Sequence, residues 1–288
     1  MRICRFNNNR FGVADGDDVL DVTEAFDALP AMRYPFPRTD LMIERLDQLR
    51  PAMLAAMPIA PRMPLASVTL LSPIANPGKL VAAPVNYIKH LEEVLGDSSL
   101  HHDNRINHIE KAGLFLKANS SLIGAGQVIE INQPDRRTDH EIELAVVIGK
   151  TAKDVPAAKA LDYIAGYCIG LDITIRGPEE RSMRKSPDTY SVLGPWMVTS
   201  DELVDPNSLA FELSVNGQPR QKSNTSELII GVAELIQFAS RFYTLHPGDV
   251  IYTGTPEGVA PIAAGDEIVA RIDQVGEMRV KVRAAASK

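Results

Sequence analysis

The segment Asp139-His140-Glu141-Ile142-Glu143-Leu144-Ala145-Val146-Val147-Ile148 places two acids at the entrance of an apolar strand. Residues two apart share a strand face, so Glu141 and Glu143 point the same way, about 6.5 Å apart along the chain. Their face continues as Ala145 and Val147, while the other reads Ile142, Leu144, Val146 and Ile148, the pattern of a strand covered on both sides. Two like charges there repel and lose hydration, and no Lys or Arg is adjacent to neutralise them. A second run, from Tyr163 to Arg176, delivers Asp172, Thr174 and Arg176 on one face of an otherwise apolar strand. Three carboxylates without a thiol or imidazole partner suit a hard cation such as Mg²⁺ or Mn²⁺, with positions left open for water and substrate. In the alternative, Glu141 and Glu143 begin the strand in solvent and Asp172 pairs with Arg176. Spacing alone leaves both open.

Other residues carry chemistry only in company. His90 and Glu93 stand three apart in Asn86-Tyr87-Ile88-Lys89-His90-Leu91-Glu92-Glu93, which on a helix gives either an acid–base pair or a solvated face. Lys185, in Lys185-Ser186-Pro187-Asp188-Thr189, offers a cation to a developing oxyanion, or is an ordinary surface lysine. Tyr252-Thr253-Gly254-Thr255-Pro256-Glu257-Gly258 brings hydroxyls and amides close to a ligand, or forms a tight turn. His101, His102 and His108 resemble a metal cluster but lack the closed set of four ligands that structural zinc requires.

The elements that must position these residues are mainly strands. Phe11 to Val22, with Asp15-Gly16 between two apolar pieces, predicts a hairpin, and Asp40 to Ala56 a helix broken at Pro51. Met57 to Pro73, with prolines at 58, 61, 64 and 73, reads as a linker between a small N-terminal α/β domain (1–70) and a larger one (71–288). Beyond it, strands are expected over 127–131, 142–148, 163–175, 211–215, 250–252, 267–271 and 280–282, and helices over 157–161 and 231–242. Val215-Asn216-Gly217-Gln218 is a hairpin turn, and the polar stretch Leu95 to Glu110 a mobile loop or lid. Strands without regular strand–helix alternation indicate an α+β or β-rich roll.

Composition narrows the class. The chain has 288 residues, with 30 Lys and Arg against 37 Asp and Glu, for a net charge of −7. That is the wrong sign for a nucleic-acid partner. No run approaches the ~20 apolar residues of a membrane span. The charged start Met1-Arg2-Ile3-Cys4-Arg5 has no apolar stretch behind it, so no secretory signal is expected. Two cysteines, Cys4 and Cys168, form no disulfide framework, which points to a reducing, cytoplasmic home with inert core thiols.

In this order the segments resemble the fumarylacetoacetate hydrolase family over about residues 73–283, in its acylpyruvase and 2-hydroxyhepta-2,4-diene-1,7-dioate isomerase-like branch. The resemblance rests on Asn86-Tyr87-x-x-His90-x-x-Glu93, Phe115-Leu116-Lys117, Glu141 and Glu143, Leu171-Asp172, Arg184 to Thr189 with Gly194-Pro195-Trp196, and Thr253 to Val259. It implies a mixed β-sandwich roll with a separate small N-terminal domain, a homodimer, and Mg²⁺ or Mn²⁺ on Glu141, Glu143 and Asp172. It further implies a His90–Glu93 acid–base dyad on an element that orders over the site, Lys185 on the substrate carbonyl, and substrate contacts from Tyr87, Arg176, Glu179 and Thr255.

Two departures bear on substrate recognition. Ala83-Pro84-Val85 stands where many members have a glycine before Asn86, and Gly177-Pro178-Glu179 where many have an Asp and then a Gln. The implied reaction is metal-dependent hydrolysis of a C–C bond in acylpyruvates or related diketo acids. Decarboxylation or isomerisation of keto acids on the same metal is the second reading, and a non-catalytic small-molecule binder the third.

Overall fold

The computed structural model describes residues 1–101 and 108–286. His102 and part of the expected lid therefore lie outside the described residues. The backbone of the molecule is one long mixed sheet. Its spatial order is Arg62–Pro64, Asp18–Asp21, Arg10–Asp15, Arg2–Phe6, Ser191–Thr199, Ile164–Asp172, Ile142–Ile148, Val250–Tyr252, Leu80–Ala82 and Phe115–Lys117. A second, five-stranded sheet runs Gln218–Asn224, Ala210–Val215, Glu267–Ile272, Gly276–Ala284 and Val128–Ile131. Ile142, Leu144, Val146 and Ile148 join Ile268, Ala270 and Val280 of this second sheet in one apolar core, as the alternation along the strand requires. Ala145 and Val147 point the other way, into a core shared with Ile3, Val13, Leu49 and Met53. Among the described residues no helix is long and apolar enough to cross a membrane.

The N-terminal hairpin forms as expected, Gly12 pairing with Asp21 and Asp15 with Asp18. The proline-rich stretch is not a free linker: Met63 pairs with Val19, and Leu71 with Arg5. Arg2 in turn pairs with Val198, so hydrogen bonding and core packing run across residue 70. The helix of residues 41–56 breaks at Arg45, not at Pro51. Pro51 lies inside Leu46–Ala56, within its first two turns, and Arg45 leaves the helical region at φ −107° and ψ 14°.

The central strand Ser191–Thr199 is not among those expected from sequence, and it contains Gly194-Pro195, a pair disfavoured within strands. Here three residues, Pro195 to Met197, stand opposite the single Cys168, a bulge that accommodates a residue with no backbone N–H.

Candidate active site

Register alone brings the carboxylates together. Ile142 pairs with Leu171 and Glu143 with Gly170 in adjacent antiparallel strands, so Glu141 and Asp172 extend the same ladder onto one face. One oxygen from each of Glu141, Glu143 and Asp172 lies within 4.8 Å of the others, and all three side chains are buried. Phe115 and Lys117 reach this face through the pairings Lys117–Leu80, Leu80–Val250 and Val250–Val147. A cavity of about 250 Å³ opens over them, walled by His90, Phe115, Arg176, Lys185 and Thr255 as well as the two glutamates.

The sequence suggests that nothing neutralises these acids; the fold corrects this with cations from distant segments. Lys185 Nζ donates to Glu141 Oε2 and Asp172 Oδ2, both at 2.7 Å, and to Thr174 Oγ1 at 2.6 Å. Lys117, wholly buried, binds Asp172 and the Tyr190 carbonyl, and burial lowers its pKa against the pull of Asp172. Arg176 does not pair with Asp172. It holds Asp139 at 2.8 Å and Glu141 at 2.7 Å. Burial would raise the Glu141 carboxyl, but Lys185 and Arg176 outweigh it and hold it well below the usual carboxylate range.

Glu143 is different. Burial, and then the charge of Asp172, push its pKa well above the ordinary value, and among the described residues no Lys or Arg pairs with it. It accepts a hydrogen bond from the Gly254 N–H at 2.6 Å. Three buried carboxylate oxygens, one belonging to an uncompensated acid, fit a hard divalent cation held by Glu141, Glu143 and Asp172.

His90 and Glu93 lie on the helix Ile88–Gly96, and His90 Nδ1 is 2.9 Å from Glu93 Oε2. The second Glu93 oxygen accepts the Gly258 N–H at 2.9 Å. The two amides that hold Glu143 and Glu93 thus come from one loop and belong to glycines at φ +104° and +91°. A Cβ on Gly254 would stand 2.7 Å from Asn86 Cβ, and one on Gly258 2.3 Å from the Arg220 carbonyl oxygen, so other residues are excluded there. Asn86 fastens the helix start to this loop by donating to the carbonyls of Thr253 at 2.8 Å and Ile230 at 3.0 Å. Val85, in the turn before Asn86, takes the left-handed conformation at φ +46°, which glycine adopts more readily.

The remaining candidates divide. Tyr87 is not on the cavity wall; its ring packs edge-on against Phe211, 6.1 Å between centroids. Glu179 lines the cavity but is engaged by Arg136 at 2.7 and 2.9 Å. Thr255 lines it too, and its Oγ1 accepts from Gln221 Nε2 at 2.8 Å. Gln221 Oε1 accepts from the Ile142 N–H at 3.1 Å and from His140 Nδ1 at 3.0 Å, while burial lowers the His140 pKa. Sequence reasoning missed Gln221 and Lys117 as site residues, along with Arg181 and Arg184, although Arg181, Arg184 and Lys185 have the i, i+3, i+4 spacing of one helix face.

Residues 79–283 match the family model for the fumarylacetoacetate (FAA) hydrolase C-terminal region. The chain belongs to the fumarylacetoacetate hydrolase family. Among its family relatives, the maleylpyruvate hydrolase of Aquipseudomonas alcaligenes is 58% identical over 285 residues, covering 98% of this chain and 99% of that one. A mitochondrial oxaloacetate tautomerase of Rattus norvegicus is 32% identical, over 93% of this chain and 84% of its own. The crystal structure of maleylpyruvate hydrolase from Sphingobium sp. SYK-6, in complex with manganese(II) ion and pyruvate, superposes with a TM-score of 0.85 at 40% identity, over 99% of this chain and 100% of that one. The family likeness extends to the mixed-sheet fold expected from sequence.

Proposed function

We propose that the protein is a divalent-metal-dependent hydrolase that cleaves a C–C bond in acylpyruvates or related diketo acids, of the maleylpyruvate and fumarylpyruvate kind, in catabolism. The carrying observation is the His90–Glu93 pair at 2.9 Å, with His90 on the wall of the cavity that Glu141 and Glu143 also line, Asp172 being clustered with them. The 58% identity to a maleylpyruvate hydrolase supports the substrate class. Mg²⁺ or Mn²⁺ is the cation that suits this donor set, and when bound it supplies Lewis-acid stabilisation for the charge of a departing enolate.

The chain's own residues handle the water. With its Nδ1 proton donated to Glu93, His90 presents the Nε2 lone pair and takes a proton from water. The water oxygen bonds to the acyl carbonyl carbon, and Lys185 donates to the oxyanion that develops. Lys185 donates to three acceptors in this structure, so that contact requires release of Glu141, Asp172 or Thr174. The C–C bond then breaks, its electron pair leaves with the pyruvate enolate, and the proton held by His90 returns to that carbon. One water is consumed, giving a carboxylic acid and pyruvate.

The second reading, tautomerisation or decarboxylation of an oxaloacetate-like acid on the same metal, draws on the 32% identity to an oxaloacetate tautomerase. Protein stripped of metal and resupplied with Mg²⁺ or Mn²⁺ separates them on acetylpyruvate, fumarylpyruvate and oxaloacetate. Metal-dependent release of an acid and pyruvate supports the hydrolase; CO₂ or an enol–keto shift from oxaloacetate alone supports the rival. We further propose a cytoplasmic homodimer, with both cysteines kept as free thiols. Residues 71–288 form the catalytic unit, in line with the 79–283 match, and 1–70 an accessory one.

A further inference from the structure

The cavity wall carries two cations that the acids around it do not use. Arg181 and Arg184 both line it, from the short helix Arg181–Lys185. Arg184 donates from Nε to the Glu179 carbonyl at 2.8 Å and from Nη1 to the Ile175 carbonyl at 2.9 Å. These bonds fix its fork in place and neutralise no charge. Among the described residues Arg181 makes no ion pair; its guanidinium carbon stands 5.5 Å from the centre of the Phe115 ring, which holds it against the wall. The adjacent acids are engaged elsewhere. Glu179 is bound by Arg136, and Glu180 caps the helix by accepting the Ser182 N–H at 2.7 Å. Lys185 and Arg176, the other cations of this wall, are occupied by Glu141, Asp172 and Asp139.

Among the described residues these two partly buried guanidiniums lose hydration without a paired carboxylate, so an anion arriving between them meets uncancelled charge. Planar guanidinium groups are matched to carboxylates. The helix sets the direction, since Arg181 lies four residues from Lys185, about 6 Å along the axis, the reach of a short acyl chain from the reacting carbonyl. We propose that Arg181 and Arg184 form a subsite for a second carboxylate, at the far end of the acyl group, and so select dicarboxylic acylpyruvates over those with a neutral acyl chain. This rests on the hydrolase reading above and assigns its specificity to named residues.

The test compares fumarylpyruvate, which carries the second carboxylate, with acetylpyruvate, which carries a methyl group, on the Mn²⁺-loaded protein. Arg181→Gln is expected to lower the ratio of the two kcat/KM values by about 10- to 100-fold, mostly through KM for fumarylpyruvate, as loss of a charged hydrogen-bond partner does. Arg181→Lys recovers part of the ratio, and Arg184→Gln shifts it in the same direction, so a misfolded variant at one position does not silence the test. An unchanged ratio in the folded variants, or equal losses on both substrates, overturns the proposal. Calorimetric titration with maleate reads the subsite without turnover, with binding expected in the wild type and weakened in Arg181→Gln. No maleate binding by the wild type also overturns it. If the wild type cleaves neither acylpyruvate but binds maleate through Arg181, the hydrolase reading fails and the anion subsite stands.

Discussion

His90 Nδ1 and Glu93 Oε2 lie 2.9 Å apart within one helical turn, and the remaining Glu93 oxygen is pinned by the Gly258 amide. The same loop pins Glu143 through Gly254, so the proposed base and the acids proposed to hold a cation are set relative to each other by a few residues. Replacing Glu93 by Gln leaves His90 without its orienting carboxylate. Hydrolysis should fall about 100- to 10,000-fold in kcat, the range of general-base catalysis, while Mn²⁺ affinity measured by calorimetry changes little. Full activity in Glu93→Gln would remove the dyad's role.

Among the described residues Glu143 is a buried acid with no Lys or Arg paired to it, its pKa raised by burial and then by Asp172. A metal that binds only the folded protein at 100 times its Kd stabilises it by about 2.7 kcal/mol. Scanning calorimetry should show that gain with Mn²⁺ in the wild type. Glu143→Gln should melt no lower than wild type without metal, because a neutral amide replaces an acid whose charged form burial disfavours, and should gain less from Mn²⁺. The same Mn²⁺ gain in both proteins would place the cation elsewhere.

Lys117 is buried against Asp172 and was not marked as functional by spacing. Lys117→Met should cost about 1 to 3 kcal/mol in urea unfolding of the metal-free protein, the range for removing one partner of a buried hydrogen-bonded group, because Lys185 still faces Asp172. Saturating Mn²⁺ should recover part of it, since a second cation then faces Asp172. A loss below about 1 kcal/mol, typical of an exposed pair, would show Lys117 to be dispensable.

Burial pushes the Cys4 thiol up to about 12 and raises Cys168 as well. Thiolate is the reactive form, so both should resist alkylation in the native protein through pH 9 and react in guanidinium chloride. Rapid native labelling at either position would contradict the burial.

Much of the site was legible because strand periodicity is strict. Glu141 and Glu143 had to share a face, and Asp172 had to share it too once its strand paired antiparallel to theirs. Lys185 and Lys117 as counter-charges were not legible, because they arrive only through tertiary packing: Lys185 meets Glu141 across 44 positions and Lys117 meets Asp172 across 55. Tyr87 shows the converse. It sits in the motif with His90 and Glu93, yet it precedes the helix as an extended residue, and its ring turns into the core. Val85 escaped for a conformational reason, since no pattern rule places a β-branched residue in the left-handed region. Ser191–Thr199 was missed because a bulge hides its Pro195 from strand rules.

The most direct test of the central claim is to run the Mn²⁺-loaded protein on fumarylpyruvate in ¹⁸O-labelled water and identify the products. Metal-dependent release of pyruvate and a diacid carrying solvent oxygen at the newly formed carboxylate is the expected result. Release of CO₂ or a tautomer without acyl cleavage, or cleavage that a chelator leaves unaffected, would contradict metal-dependent hydrolysis at Glu141, Glu143 and Asp172.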